Sequence, residues 1–66
     1  MRAKYDKAVD ALYIRFKEGK YEISEELGEG TVIDLSKDGE LLGIEILDAS
    51  KKLSKKNLEN IVAKNN

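Results

Sequence analysis

Thr31-Val32-Ile33-Asp34-Leu35-Ser36-Lys37-Asp38-Gly39-Glu40-Leu41-Leu42-Gly43-Ile44-Glu45-Ile46-Leu47-Asp48 reads as two strands joined by a tight turn. Asp38-Gly39 is the pair that most readily supplies the left-handed backbone of a short hairpin loop. Side chains alternate along a strand, so Leu42, Ile44 and Ile46 share one face of the second strand. Leu41, Gly43, Glu45 and Leu47 share the other. A chain organised around this hairpin is a sheet protein first.

The same alternation recurs upstream, where Leu12, Ile14 and Phe16 are interleaved with Tyr13, Arg15 and Lys17. Lys17-Glu18-Gly19-Lys20 is expected to turn the chain into Tyr21-Glu22-Ile23-Ser24 as its hairpin partner, with Gly28 and Gly30 punctuating a loop beyond. Arg2-Ala3-Lys4-Tyr5 suits a short strand. Between these strands Asp6-Lys7-Ala8-Val9-Asp10-Ala11 forms either a tight turn or one helical turn. The turn is preferred, because Asp side chains bond nearby amides and compete with regular structure.

Downstream, Ser54 is an N-cap, and Leu53 and Leu58 stand at the spacing of a hydrophobic staple. Leu58, Ile61 and Val62 then form one apolar stripe. Lys64 complements the helix dipole, whereas Lys55 and Lys56 in the first turn oppose it. The expected fold is a small α+β domain spanning residues 1–66. About four to five hairpin-connected antiparallel strands over residues 2–48 carry one C-terminal helix, residues 54–64, on one face. The opposite face is then left without a cover, and Tyr13, Leu41 and Leu47 are the candidates for a contact surface there.

Sixty-six residues make a single small core, which here has neither Cys nor His to reinforce it. Association with a second copy or a protein partner is therefore expected. Apolar residues at 41% and charged residues at 38% describe a folded chain with a highly charged surface. No stretch approaches the roughly 18 apolar residues of a membrane span and no secretory leader is visible, so a cytoplasmic protein is expected. Residues 1–50 hold seven basic against twelve acidic side chains, and residues 51–66 hold five lysines against Glu59. The two ends thus differ in sign and attract each other or different partners.

Asp6, Asp10, Asp34 and Asp48 are the only constellation that could bind Mg²⁺ or Ca²⁺ or act as acid and base. Each also has a structural reading. Asp6 and Asp10 suit the turn, Asp34 the solvent side of its strand, and Asp48 a strand end. Nucleophilic catalysis lacks an activating base beside Ser24, Ser36, Ser50 or Ser54, and Gly28-Glu29-Gly30 places an acid where a phosphate would approach. Lys51, Lys52, Lys55 and Lys56 form a basic cluster that could meet nucleic acid, but no arginine or aromatic residue is interleaved for stacking. Tyr13 suits a protein contact, since its neighbours Leu12 and Ile14 claim the other face. No cofactor is expected. The reading is a non-enzymatic interaction module, with metal or small-ligand binding as the alternative and nucleic-acid binding as a minor one.

Tyr5-Asp6 followed by Asp10-Ala11-Leu12-Tyr13-Ile14-Arg15-Phe16, and then Gly43-Ile44-Glu45-Ile46-Leu47-Asp48-Ala49-Ser50, resembles domain of unknown function family 2283 over about residues 2–52. The resemblance implies a compact prokaryotic single-domain protein without an assigned reaction, in some members an antitoxin-like partner. Lys7-Ala8-Val9 departs from the Pro or Glu that often follows Tyr-Asp in that family, which makes the loop less acidic here.

Overall fold

The structure is a computed structural model that describes residues 1–21 and 23–65. Glu22, assigned above to a strand, and Asn66 lie outside the described residues, as do the side chains of Lys64 and Asn65. Five strands, β1 (Arg2–Asp6), β2 (Ala11–Arg15), β3 (Ile23–Gly28), β4 (Thr31–Leu35) and β5 (Leu41–Leu47), precede helices α1 (Ala49–Lys52) and α2 (Lys55–Asn65). All the strands join one antiparallel sheet in the order β1-β2-β5-β4-β3.

The Asp38-Gly39 hairpin forms between β4 and β5 as its turn chemistry requires, with Gly39 at φ 86°. The connection after β2 does not make the expected hairpin. β2 pairs with β1 and β5, whereas β3 pairs with β4 at the edge, so the connection that begins with residues 16–21 crosses the end of the sheet in a Greek-key path. The reason lies in composition. β5 has Leu42, Ile44 and Ile46 on one side of its pleat and only Glu45 charged on the other, and takes the central position. β3 carries Glu25 and Glu26 in succession, is exposed throughout, and suits an edge. The crossing segment packs over Leu42, since a Cβ on Gly19 would stand 3.2 Å from Leu42 Cδ2. Ion pairing of Lys17 with Glu40 ties it down further.

β3 also starts later and runs longer than Tyr21–Ser24. Gly28 belongs to the strand, beside a bulge that leaves Leu27 out of register, and the turn is Glu29-Gly30. A second difference is α1, a single helical turn before the expected helix. α2 itself begins as predicted: the Asn57 amide donates to Ser54 Oγ at 3.1 Å, and Leu53 and Leu58 pack together with the core.

Register assigns the faces. Ala3, Ile14, Ile44, Ile33 and Glu25 form one cross-strand row, and Tyr5, Leu12, Ile46 and Thr31 the next, on the face that receives α2. Ala3, Leu12, Ala49 and Leu58 are buried at its centre, with Ile46, Leu53, Ile61 and Val62 around them. The other face has the rows Arg2-Arg15-Gly43-Asp34-Ser24 and Lys4-Tyr13-Glu45-Val32-Glu26. The face without a helix is therefore largely polar over these rows; of the residues expected to offer apolar surface, Tyr13 is half-buried, Leu47 is exposed in the further row Asp6-Ala11-Leu47, and Leu41 is exposed at the start of β5.

Candidate functional site

Two hydrogen-bonded knots and one bare apolar ledge stand out. The first knot is centred on Asp10, whose backbone is left-handed at φ 55°, a conformation Asp tolerates better than most residues. Tyr5 Oη donates to Asp10 Oδ1 at 2.6 Å, the Ser50 amide donates to the same oxygen at 3.1 Å, and Ser50 Oγ donates to Oδ2 at 2.7 Å. The Ala49 amide donates to the Asp10 carbonyl at 3.0 Å. A carboxylate in the β1–β2 turn thus caps α1, forty residues away, and holds the end of β5 against the first hairpin.

These bonds favour the charged carboxylate. Donation from Tyr5, then from Ser50, holds Asp10 below the usual carboxylate range, while the same bond to Asp10 pushes the Tyr5 phenol up. A carboxylate stabilised in this way is a poor base towards Ser50, whose proton it already receives only as a hydrogen bond. The arrangement is a clamp.

The second knot lies on the polar face. Tyr13 crosses over Gly43 and donates to Asp34 Oδ2 at 3.0 Å; Ser24 Oγ donates to Oδ1 at 2.7 Å. A Cβ on residue 43 would come within 2.5 Å of the Tyr13 oxygen, so this strand position has room for glycine alone unless the ring moves. The Arg15 guanidinium stands 5.5 Å from the Tyr13 ring centroid. Partial burial, then the Asp34 bond, raises the Tyr13 pKa. Tyr13 is half-buried and joins β2, β5 and β4; Leu47, in the next row, and Leu41 are exposed at the margins of β5.

The other sequence candidates are dispersed. Asp6 Oδ1 accepts the Ala8 amide at 3.0 Å within the turn, and Asp48 is exposed at φ 54° with no capping bond from its side chain. Among the described residues, no three His, Cys, Asp or Glu side chains gather as a metal-holding group. The four lysines are split between α1 and the first turn of α2. Lys52 Nζ is occupied, bonding the carbonyls of Glu29 and Leu47, which leaves Lys51, Lys55 and Lys56 at the surface. No described helix is long and apolar enough to cross a membrane.

Sequence reasoning missed the ledge. Helix α2 lies over β1, so the helix-bearing face is covered on one side only. Over β5, β4 and β3 it presents Ile44, Ile33, Leu35 and Ile23, with Phe16 at the end of β2. Ile23 is 45% exposed and Phe16 44%. The signal was available: a helix with a three-residue stripe is about two strands wide, and four to five strands were expected. An open groove of about 540 Å³ also runs beside α2, with Tyr5, Leu58 and Val62 on its floor and Lys7 and Lys55 on its rim.

No curated protein and no solved structure matches the chain. A family described as "Protein of unknown function (DUF2283)" matches residues 2–50. That span includes Tyr5, Asp10 and Ser50 of the first knot and Tyr13, Ser24, Asp34 and Gly43 of the second. By this match over most of its length, the chain belongs to the DUF2283 family of proteins of unknown function.

Proposed function

We propose that this protein is a non-enzymatic interaction module whose contact surface is the bare half of its helix-bearing face. The observation that carries the reading is the half-buried apolar row Ile44–Ile33, continued by half-buried Leu35 and exposed Ile23, on the side of the sheet away from β1, where α2 packs. Contiguous apolar surface beside a charged surround is the usual mark of a docking site. Small size strengthens the argument: among the described residues only Ala3, Ala11, Leu12, Leu42, Ala49 and Leu58 are buried hydrophobic side chains, and covering the ledge would add substantially to so limited a core.

The polar knots support the same reading, because in each both carboxylate oxygens accept hydrogen bonds from internal donors. Antitoxin-like neutralisation, suggested by the family resemblance, is one form such docking can take.

Isoleucine-methyl NMR with a soluble paramagnetic probe tests the proposal, on the purified protein and in concentrated lysate of the producing organism. The Ile23, Ile33 and Ile44 methyls should be shielded well beyond their exposure in a lone chain in at least one of the two samples. Methyls fully open to the probe in both would overturn it.

A further inference from the structure

We infer that the occupant of the ledge is a second copy of this chain, docked about a two-fold axis parallel to the strands so that the two bare half-sheets pack face to face. This rests on the docking-surface reading above and names its partner.

The step on the helix-bearing face carries the inference. One side of the sheet supports α2 and the crossing segment covers Leu42; beyond them Ile44, Ile33 and Leu35 are half-buried and Ile23 and Glu25 are exposed on β5, β4 and β3. A helix is about 10 Å across, two packed sheets stand about 10 Å apart, and three strands span about 10 Å between their outer axes. The step is therefore as high as the gap between two packed sheets. When two ledges meet about a two-fold, each α2 lies level with the partner's sheet and abuts its open edge, β3. The surface is self-complementary, which is what a closed isologous dimer requires.

Charge follows the same geometry. Residues 23–30 carry Glu25, Glu26 and Glu29 with no basic side chain, and Glu25 projects from the ledge face in the row of Ile33 and Ile44. The helical segment that would meet this edge has Lys51, Lys55 and Lys56 at its surface. The opposite signs of the two ends of the chain are brought together between copies. Direct β3–β3 pairing is the competing way to make a dimer, and it sets the acidic centres of two edge strands against each other.

Sedimentation equilibrium tests the inference, alongside the methyl experiment. The purified protein should have twice the 7.4 kDa mass of one chain. Ile23→Lys and Glu25→Lys, both at exposed positions, should each weaken the dimer at least tenfold. Mixing Glu25→Lys with Lys55→Glu/Lys56→Glu should restore mixed dimers, a gain that misfolding cannot imitate. Leu47→Lys on the polar face should leave the dimer intact. A wild-type monomer at millimolar concentration overturns the second copy. If its ledge methyls are shielded only in lysate, the docking-surface reading survives with a different partner, and if they are open throughout, both fail. A dimer broken by Leu47→Lys but indifferent to Ile23→Lys and Glu25→Lys also overturns the arrangement.

Discussion

The Tyr13 hydroxyl reaches Asp34 across Gly43, two strands from its own, and the 3.0 Å bond exists because residue 43 has no side chain. Gly43→Ala must therefore push the ring aside or lose the bond. The expected cost is about 1–3 kcal/mol in urea denaturation, the range for overpacking combined with a broken, partly buried hydrogen bond. In a Tyr13→Val background the penalty should shrink, leaving the contact with the Ile14 carbonyl oxygen, 3.0 Å from the added carbon. Equal penalties in both backgrounds would show that the ring is not what excludes alanine.

Asp10 and Asp48 share one backbone conformation, at φ 55° and 54°, and differ in what their carboxylates do. Glycine removes the left-handed penalty at either position. At Asp48, whose side chain makes no capping bond, Asp48→Gly should stabilise the fold by up to about 1 kcal/mol. At Asp10 the same change abolishes the bonds from Tyr5 and Ser50, so Asp10→Gly should lower the melting temperature despite the easier backbone. Thermal melts of the two variants should move in opposite directions.

Much of the fold is legible in local pattern. Asp38-Gly39 marks its hairpin, Ser54 marks the helix start, and the alternation around Leu12 places Tyr13 and Leu12 on opposite faces. What local pattern does not encode is which strand pairs with which. Gly19 in a polar segment suits a hairpin, yet β2 gains more by pairing with β5, whose Ile44 and Ile46 match Ile14 and Leu12 in register. The Asp10 clamp is equally non-local. Asp10 reads as a turn residue, which it is, but its bonds to Ser50 depend on the end of β5 returning to the first turn. Tyr13 was visible as an outward-facing aromatic; its bond to Asp34 required the strand order.

The clamp gives stability a dependence on pH at both extremes. Asp10 is held below its unfolded range, so its contribution is complete above the unfolded pKa, about 3.9, and is lost as pH falls through the lower folded value. Tyr5 and Tyr13 are raised, so theirs is complete below about 10 and lost as pH rises through the folded values. Urea midpoints between pH 7 and 2 should fall less steeply in Asp10→Asn, which keeps an acceptor for Tyr5 but has no proton to bind. Between pH 9 and 12, Tyr13→Phe should flatten the alkaline decline. Profiles parallel to wild type would show that these groups do not govern the limits.

Leu12 is wholly buried, between Tyr5 on β1 and Ile46 on β5 and within the cluster that includes Leu58 of α2. Leu12→Ala removes side-chain volume that two rigid sheet neighbours cannot fully reclaim, at an expected cost of about 2–5 kcal/mol. For a domain this small, that is a large part of the total. Leu27, the same residue type at 64% exposure in the β3 bulge, gives the contrast: Leu27→Ala should stay within about 0.5 kcal/mol of wild type. Chemical denaturation of the pair measures how completely the core is confined to the half of the sheet under α2. A Leu27→Ala cost approaching that of Leu12→Ala would mean that the β3 bulge itself, and not only the ledge positions Ile23 and Glu25, is covered in the protein as it exists in solution.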